Sequence, residues 1–379
     1  MLKIKSFLYP ILLFLTLGIG CSAKIPAKNS ISGEIKNLPK GALRLILEED
    51  VNRKKSRVIA EIPVDENGRF RFEKELPPHI YSLKISDEKS VMLAVGKNQN
   101  IVITGDAGSG QWQVTGSEDT AKLEAYEKFR KESLNRLVIS IRKQIKELKE
   151  KSAPENDPKL LGLTKLEIEN YVRHKDELIE FIKKEMGTSV AIYPTSIRWD
   201  GEKNIPFLIE LAERFEINHP KTEIAARINE KVKALAANRL GGRVAEIKMP
   251  DKNGAIVPLS AIDAKYILID FWGSWCPPCR GESRLLVELY RKFKPEGFEI
   301  YGVGLESEKE AWLKAIEQDK RTWTNVSTFQ EFETPATFDY AVTSLPANVL
   351  VDNSGKVVAK NLHGNELKAT VEKLFSKDR

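Results

Sequence analysis

The stretch FWGSWCPPCRGES, residues 271 to 283, holds two of the chain's three cysteines, Cys276 and Cys279, two residues apart. An apolar run, YILIDFW (266–272), leads into it, and a segment with helical apolar spacing, Pro278 to Phe293, leads out. Three uses of such a pair compete: a metal clip, a covalent staple, or two thiols that open and close. A structural zinc site needs four ligands, but there is no second cysteine pair, and of His79, His174, His219 and His363 only His363 lies in this part of the chain. Copper held by the pair and His363 is the metal reading that survives. The staple is weak, because a disulfide closing so tight a loop removes little chain entropy. The redox reading accounts for the surroundings as well. A cysteine at a helix N-terminus meets free backbone N–H groups and the positive end of the dipole, which favour thiolate. Cys276, at the exposed turn, is then the nucleophile, and Cys279, one turn further in, the resolving thiol. Pro277 and Pro278 donate no N–H, restrict the backbone between the sulfurs, and suit a first helical turn.

The same region alternates strand and helix patterns, which implies a layered α/β fold. Strand candidates are 255–258, 266–272, 298–304, 347–352 and 357–361, and helix candidates 278–293, 309–318 and 366–375. Asp251 to Gly254 and Asp352 to Gly355 read as hairpin turns, since neither has the ligand series of a calcium loop.

Upstream, residues 30–117 are short alternating or apolar runs punctuated by turn residues, which predicts a small β-sandwich or barrel-like module. Asn67-Gly68 between two such runs is a hairpin signal. Residues 118–240 change to helical spacing, with a first helix from Ser117 to Lys151, a second from about Leu163 to Met186, and two more near 206–215 and 222–239. Their dense charges of both signs read as solvated helix faces. The domain plan is therefore signal 1–20, tether 21–29, β-rich domain 30–117, helical region 118–240 and α/β domain 241–379.

At the N-terminus, Lys3 and Lys5 precede an apolar run from Phe7 to Ile19, the pattern of a secretory signal and too short to span a bilayer well. Gly20-Cys21 resembles a bacterial lipobox, departing from it at Gly18, where that motif usually has Leu. The resemblance implies a lipid on Cys21 and anchoring to a membrane face; ordinary signal cleavage nearby is the alternative. With Cys21 lipidated, Cys276 and Cys279 are the only thiols left in an oxidising setting, with no disulfide framework. The net charge of +6, from 60 basic and 54 acidic residues, is too small and scattered for a nucleic-acid surface.

YILIDFWGSWCPPCRGES resembles the thioredoxin superfamily, and its flanks resemble the membrane-anchored TlpA/ResA-like branch. The likeness covers residues 243 to 379 and implies a thioredoxin-like fold there. Trp275 precedes the first cysteine, as in the family. Asp270 resembles the buried acid that exchanges protons with the inner cysteine. Glu306 resembles an acid that this branch places near the site. Pro346, in Ser344-Leu345-Pro346, resembles the cis-proline that packs against the disulfide. Resolution needs a group to take the Cys279 proton, and Asp270 and Glu306 are both candidates. A β module, helices and a TlpA-like domain together resemble lipoproteins of Bacteroidota. The implied function is a periplasm-facing, membrane-anchored thiol-disulfide oxidoreductase with a redox-active disulfide and no separate cofactor or metal. It would reduce cysteine pairs of exported proteins, as in cytochrome c maturation, with electrons from a membrane thiol reductase. The alternatives are a peroxidase on the same fold, and a binding lipoprotein with a vestigial redox domain.

Overall fold

The computed structural model describes residues 28–39, 43–51, 55–151, 157–199 and 202–376. The signal and Cys21 fall outside the described residues, as does most of the tether, whose last residue, Asn29, already lies in a strand. Eight strands follow among the described residues: β1 (Asn29–Lys36), β2 (Leu43–Asp50), β3 (Lys55–Ile62), β4 (Arg69–Lys74), β5 (His79–Lys84), β6 (Ser90–Val95), β7 (Asn100–Asp106) and β8 (Gln111–Thr115). They form two four-stranded sheets, β4-β1-β7-β8 and β3-β2-β5-β6. Alternation places Ile31, Ile35, Ile101 and Ile103 of one sheet against Leu45, Leu47 and Leu83 of the other, so the module is a sandwich.

The Asn67-Gly68 turn departs from the expected hairpin. It is closed by the Gly68 N–H on the Asp65 carbonyl at 3.0 Å, but β3 pairs with β2 and β4 with β1. The turn carries the chain from one sheet to the other. Gly68 has φ +78° and lies against β1, where a Cβ would come within 2.1 Å of the Ile35 carbonyl oxygen. That close approach, rather than a two-strand register, is what demands glycine. β8, five residues with none fully buried, is not among the runs that the sequence singles out.

The helical region comprises α1 (Glu118–Leu134), α2 (Ser140–Glu150), α3 (Pro158–Phe181), α4 (Ile192–Thr195), α5 (Ile205–Asn218) and α6 (Glu223–Ala237). A π-helical turn at Asn135–Ile139 joins α1 to α2, so the long first helix is continuous but offset at that point. The Ser117 side chain caps α1 by accepting the Thr120 N–H. The core of this region takes in Ile80 and Ala94 from the sandwich, and Ala341 of the C-terminal domain packs on it. No helix of the described residues is long and apolar enough to cross a membrane.

The C-terminal domain opens with the hairpin β9 (Lys248–Pro250) and β10 (Ile256–Pro258). It continues with β11 (Tyr266–Trp272), α7 (Pro277–Phe293), β12 (Phe298–Gly304), α8 (Lys309–Gln318), β13 (Thr324–Val326), α9 (Pro335–Asp339), β14 (Ala347–Asp352), β15 (Val357–Lys360) and α10 (Gly364–Ser376). The sheet order is β13-β12-β11-β14-β15, with β12 and β13 parallel to β11, β14 antiparallel to it, and β15 antiparallel to β14. β11 is central and covered on both faces, which is why it reads as an unbroken apolar run. Leu268 faces the α7 and α10 side, while Ile269 and Phe271 face the other. Its C-terminal end delivers the chain to Cys276.

Candidate active site

Cys276 and Cys279 are joined by a disulfide, with Cα atoms 5.4 Å apart. Cys276 is the N-cap of α7, and its Sγ accepts the Cys279 N–H at 3.3 Å. With Pro277 and Pro278 donating nothing, this is the first backbone donor of the helix, and it points at the sulfur of the N-capping cysteine. The expected difference in exposure is absent: Cys276 is 3% exposed and Cys279 2%. The bridged sulfurs share an apolar cluster with Trp272, Trp312 and Ala315, with Phe329 and Leu345 packed over it. Position on the helix, not exposure, distinguishes the two sulfurs in this state.

The loop before Cys276 is held from β12's exit. Glu306 is 1% exposed, and its two oxygens accept the Ser274 N–H at 2.6 Å and the Ser274 hydroxyl at 2.7 Å. Burial pushes the Glu306 carboxyl above the usual range, against the Ser274 hydrogen bonds. The Trp275 indole N–H donates to the Leu305 carbonyl at 2.8 Å, its ring is half exposed, and Phe332 lies 6.2 Å away. The Leu345–Pro346 peptide bond is cis. Cys276, Cys279, Trp275, Glu306 and the Pro346 loop thus converge at the end of β11.

Residues 240–360 match the AhpC/TSA family, and residues 30–123 match a domain of unknown function, DUF4369. Thiol-disulfide oxidoreductase ResA of Bacillus cereus is 27% identical over 147 residues, covering 37% of this chain and 78% of that protein. The enzyme of the same name from Geobacillus kaustophilus is 31% identical over 118 residues, covering 31% of this chain and 66% of that protein. Among solved structures, the thioredoxin domain of a thiol-disulfide oxidoreductase from Bacteroides vulgatus is 39% identical, with 36% of this chain and 97% of that domain covered and a TM-score of 0.34. The C-terminal domain is a thioredoxin-like thiol-disulfide oxidoreductase. The sandwich is a separate domain.

Behind the disulfide, the oxidoreductase domain carries a feature that the sequence reading missed. Asp270 is 4% exposed, and its carboxylate accepts from Arg321 Nη1 at 2.9 Å. Arg321 is itself buried, with its guanidinium carbon 3.9 Å from the centre of the Trp272 ring. Its other nitrogens donate to the Ser283 hydroxyl at 3.1 Å and to the Cys279 carbonyl at 3.3 Å. Burial pushes the Asp270 carboxyl up, and the Arg321 charge opposes the rise. Arg321 gave no signal in the sequence: it sits in DKRTW, which reads as a solvated turn after a helix.

Two further pairs flank α7. Arg280 is ion-paired with Asp319 and donates to the Ser274 carbonyl at 3.3 Å, so its guanidinium is directed to structure rather than to an incoming oxidant. His363 Nδ1 lies 3.1 Å from Glu282 Oε2, and the other oxygen accepts the Gly364 N–H at 2.9 Å. Burial works to lower the His363 imidazole, but the Glu282 carboxylate outweighs it and the net shift is upward. His363 therefore binds α7 to the start of α10. Among the described residues no group of three or more His, Cys, Asp or Glu is placed to hold a metal ion. His79 is buried in the sandwich, edge-on to Tyr193 at 5.4 Å.

Proposed function

We propose that the chain reduces disulfides of exported proteins through the Cys276–Cys279 dithiol while tethered to a periplasm-facing membrane by a lipid on Cys21. The observation that carries the redox part is the disulfide at the N-terminus of α7, with the Cys276 sulfur accepting the helix's first N–H. In the reduced protein the Cys276 thiolate attacks a client disulfide. The client S–S bond breaks, a Cys276–client bond forms, and the released client thiolate takes a proton from water. Cys279 then loses its proton and attacks the Cys276 sulfur. The mixed disulfide breaks, the internal disulfide closes, and the second client thiolate is protonated. Two electrons have passed from the dithiol to the client. A membrane thiol reductase returns them, so no dissociable cofactor is required. Trp275 and Phe332 offer an apolar rim for the client chain beside the sulfurs.

The anchor rests on the basic start, apolar run and Gly20-Cys21 of the sequence. The direction rests on the resemblance of the sequence to the TlpA/ResA-like branch, whose members usually reduce. The test is the reduction potential of the purified chain, equilibrated with thiol buffers, together with client reduction. A potential near or below about −270 mV, the thioredoxin value, with reduction abolished in Cys276→Ser and a trapped mixed disulfide in Cys279→Ser, is expected. A potential near about −120 mV would reverse the direction. A pair that does not cycle would remove the redox reading.

A further inference from the structure

Burying a guanidinium directly behind a redox pair needs a reason. Arginine stays charged in proteins, and its burial is tolerated here only because every face of the group is engaged. The carboxylate of Asp270 lies on one side at 2.9 Å, the Trp272 ring lies beneath, and the Cys279 carbonyl and Ser283 hydroxyl take the remaining donors. Asp319 Oδ2 is 4.0 Å away, but it is already bonded by Arg280 and Ser283. Protonating Asp270 would leave the buried cation only the Asp319 carboxylate, 4.0 Å away and shared with Arg280, and breaking a buried pair from one side is strongly unfavourable.

We infer that Arg321 is the positioning residue of the resolving thiol: it locks Asp270 as a carboxylate and fixes the Cys279 backbone, so the proton that Cys279 loses on closure goes to a group other than Asp270. The inference rests on the oxidoreductase reading and departs from the role that family resemblance gives to Asp270. Glu306 is the other buried carboxyl beside the pair. The charged groups around Asp270 are Arg321 and Asp319 beyond α8, Glu282 and Arg280 on α7, and His363 before α10. Of these, Arg321 alone bonds Asp270 directly among the hydrogen bonds of the described residues.

The test is a thiolate titration of the fully reduced chain, followed by ultraviolet absorbance in the wild type and in Asp270→Asn, Arg321→Lys and Arg321→Met. If Asp270 is a locked carboxylate, Asp270→Asn removes a negative charge beside the thiols and leaves the Arg321 cation unbalanced. About tenfold more thiolate should then form at a given pH. Arg321→Lys should titrate nearly as the wild type. Arg321→Met should release Asp270 to titrate, adding a step that the double variant Arg321→Met/Asp270→Asn lacks. An Asp270→Asn profile that overlays the wild type overturns the inference, because asparagine then merely replaces a neutral acid. Should Arg321→Met not fold, Asp270→Asn and Arg321→Lys still decide the matter. The titration needs no client, so a chain that titrates as expected but reduces no disulfide would sink the oxidoreductase reading while supporting the Arg321 assignment.

Discussion

The Ser274 side chain and N–H both end on Glu306, which ties a titratable carboxyl to the residue two places before the Cys276 sulfur. Burial raises that carboxyl, bringing it nearer to the pH at which a thiol must give up its proton. Only the ionised form of Glu306 accepts a proton, so resolution should quicken as pH rises through its raised value. Glu306→Gln keeps the shape and removes the titration. We expect the closing step, followed by tryptophan fluorescence in single turnover, to slow about 10²-fold and to lose that rising limb. Wild-type rates with an unchanged pH profile would exclude Glu306 from the proton path. Single residues differed in how legible they were. Cys276 and Cys279 stand out because the chain has so few cysteines, and Trp275 and Pro346 because each adjoins a recognisable stretch. Arg321 was hidden because charge in a loop is ordinarily solvated, and only packing reveals that this one is buried under Trp272.

Helix α3 shows the same effect at the scale of an element. Its charged sequence reads as solvated surface, yet His174 is 3% exposed and faces Ser133 of α1 at 2.8 Å. The Ser133 hydroxyl gives its one proton to Glu177 at 2.6 Å, so His174 donates to it through Nδ1–H. Burial, with the Arg130 charge nearby, pushes it down to about 4. A histidine lowered in the folded state is protonated first in the unfolded state. Its contribution is complete above the unfolded value of 6.5 and is lost as pH falls towards about 4. That loss should be of the order of 2 kcal/mol. His174→Gln should flatten the acid limb of the thermal midpoint between those values; an equally steep limb in the variant would assign it elsewhere. Elements were legible where they were long and one-sided or wholly apolar, as in β11 and β12. Of those of three to five residues, β10 and β15 were legible as apolar runs beside a turn, but β8, β9, β13, α4 and α9 were not, because so few positions carry no period. The Asn67-Gly68 turn misled for a related reason: turn chemistry reports local backbone geometry and not which strands pair on either side of it.

At the scale of the molecule, one segment of the oxidoreductase domain reaches both the disulfide and the helical region. Residues 329–345 place Phe329 and Leu345 on the cysteine cluster and Phe332 beside Trp275, while Ala341 packs on the helical core. The link is fixed at Asn238, which ends α6 and is fully buried. Its side-chain amide donates to Ala234 at 2.7 Å and to the Asp339 carbonyl at 2.6 Å. Backbone bonds extend the junction, with Gly241 donating to Val357 and Val357 to Gly242, each at 2.8 Å. Sequence marks this place only as a glycine-rich boundary, since nothing local to 238–242 names a partner a hundred residues on. Asn238→Ala removes both donors from a fully buried position and deprives the Asp339 carbonyl of one of them, a cost of about 0.5–1.5 kcal/mol. Because that cost falls on the contact between α6 and α9 and on neither core, it should weaken coupling more than either domain. Calorimetry should then resolve a separate transition for the C-terminal domain, and amide exchange should quicken across 329–345 before it does in β11. An unchanged single transition with unchanged exchange there would mean that the backbone bonds of 241–242 carry the junction alone. If the separation does occur, the sandwich and helices bear on the rim of the redox site through this segment, and a part of the chain that carries no cysteine helps to set the surface that a client meets.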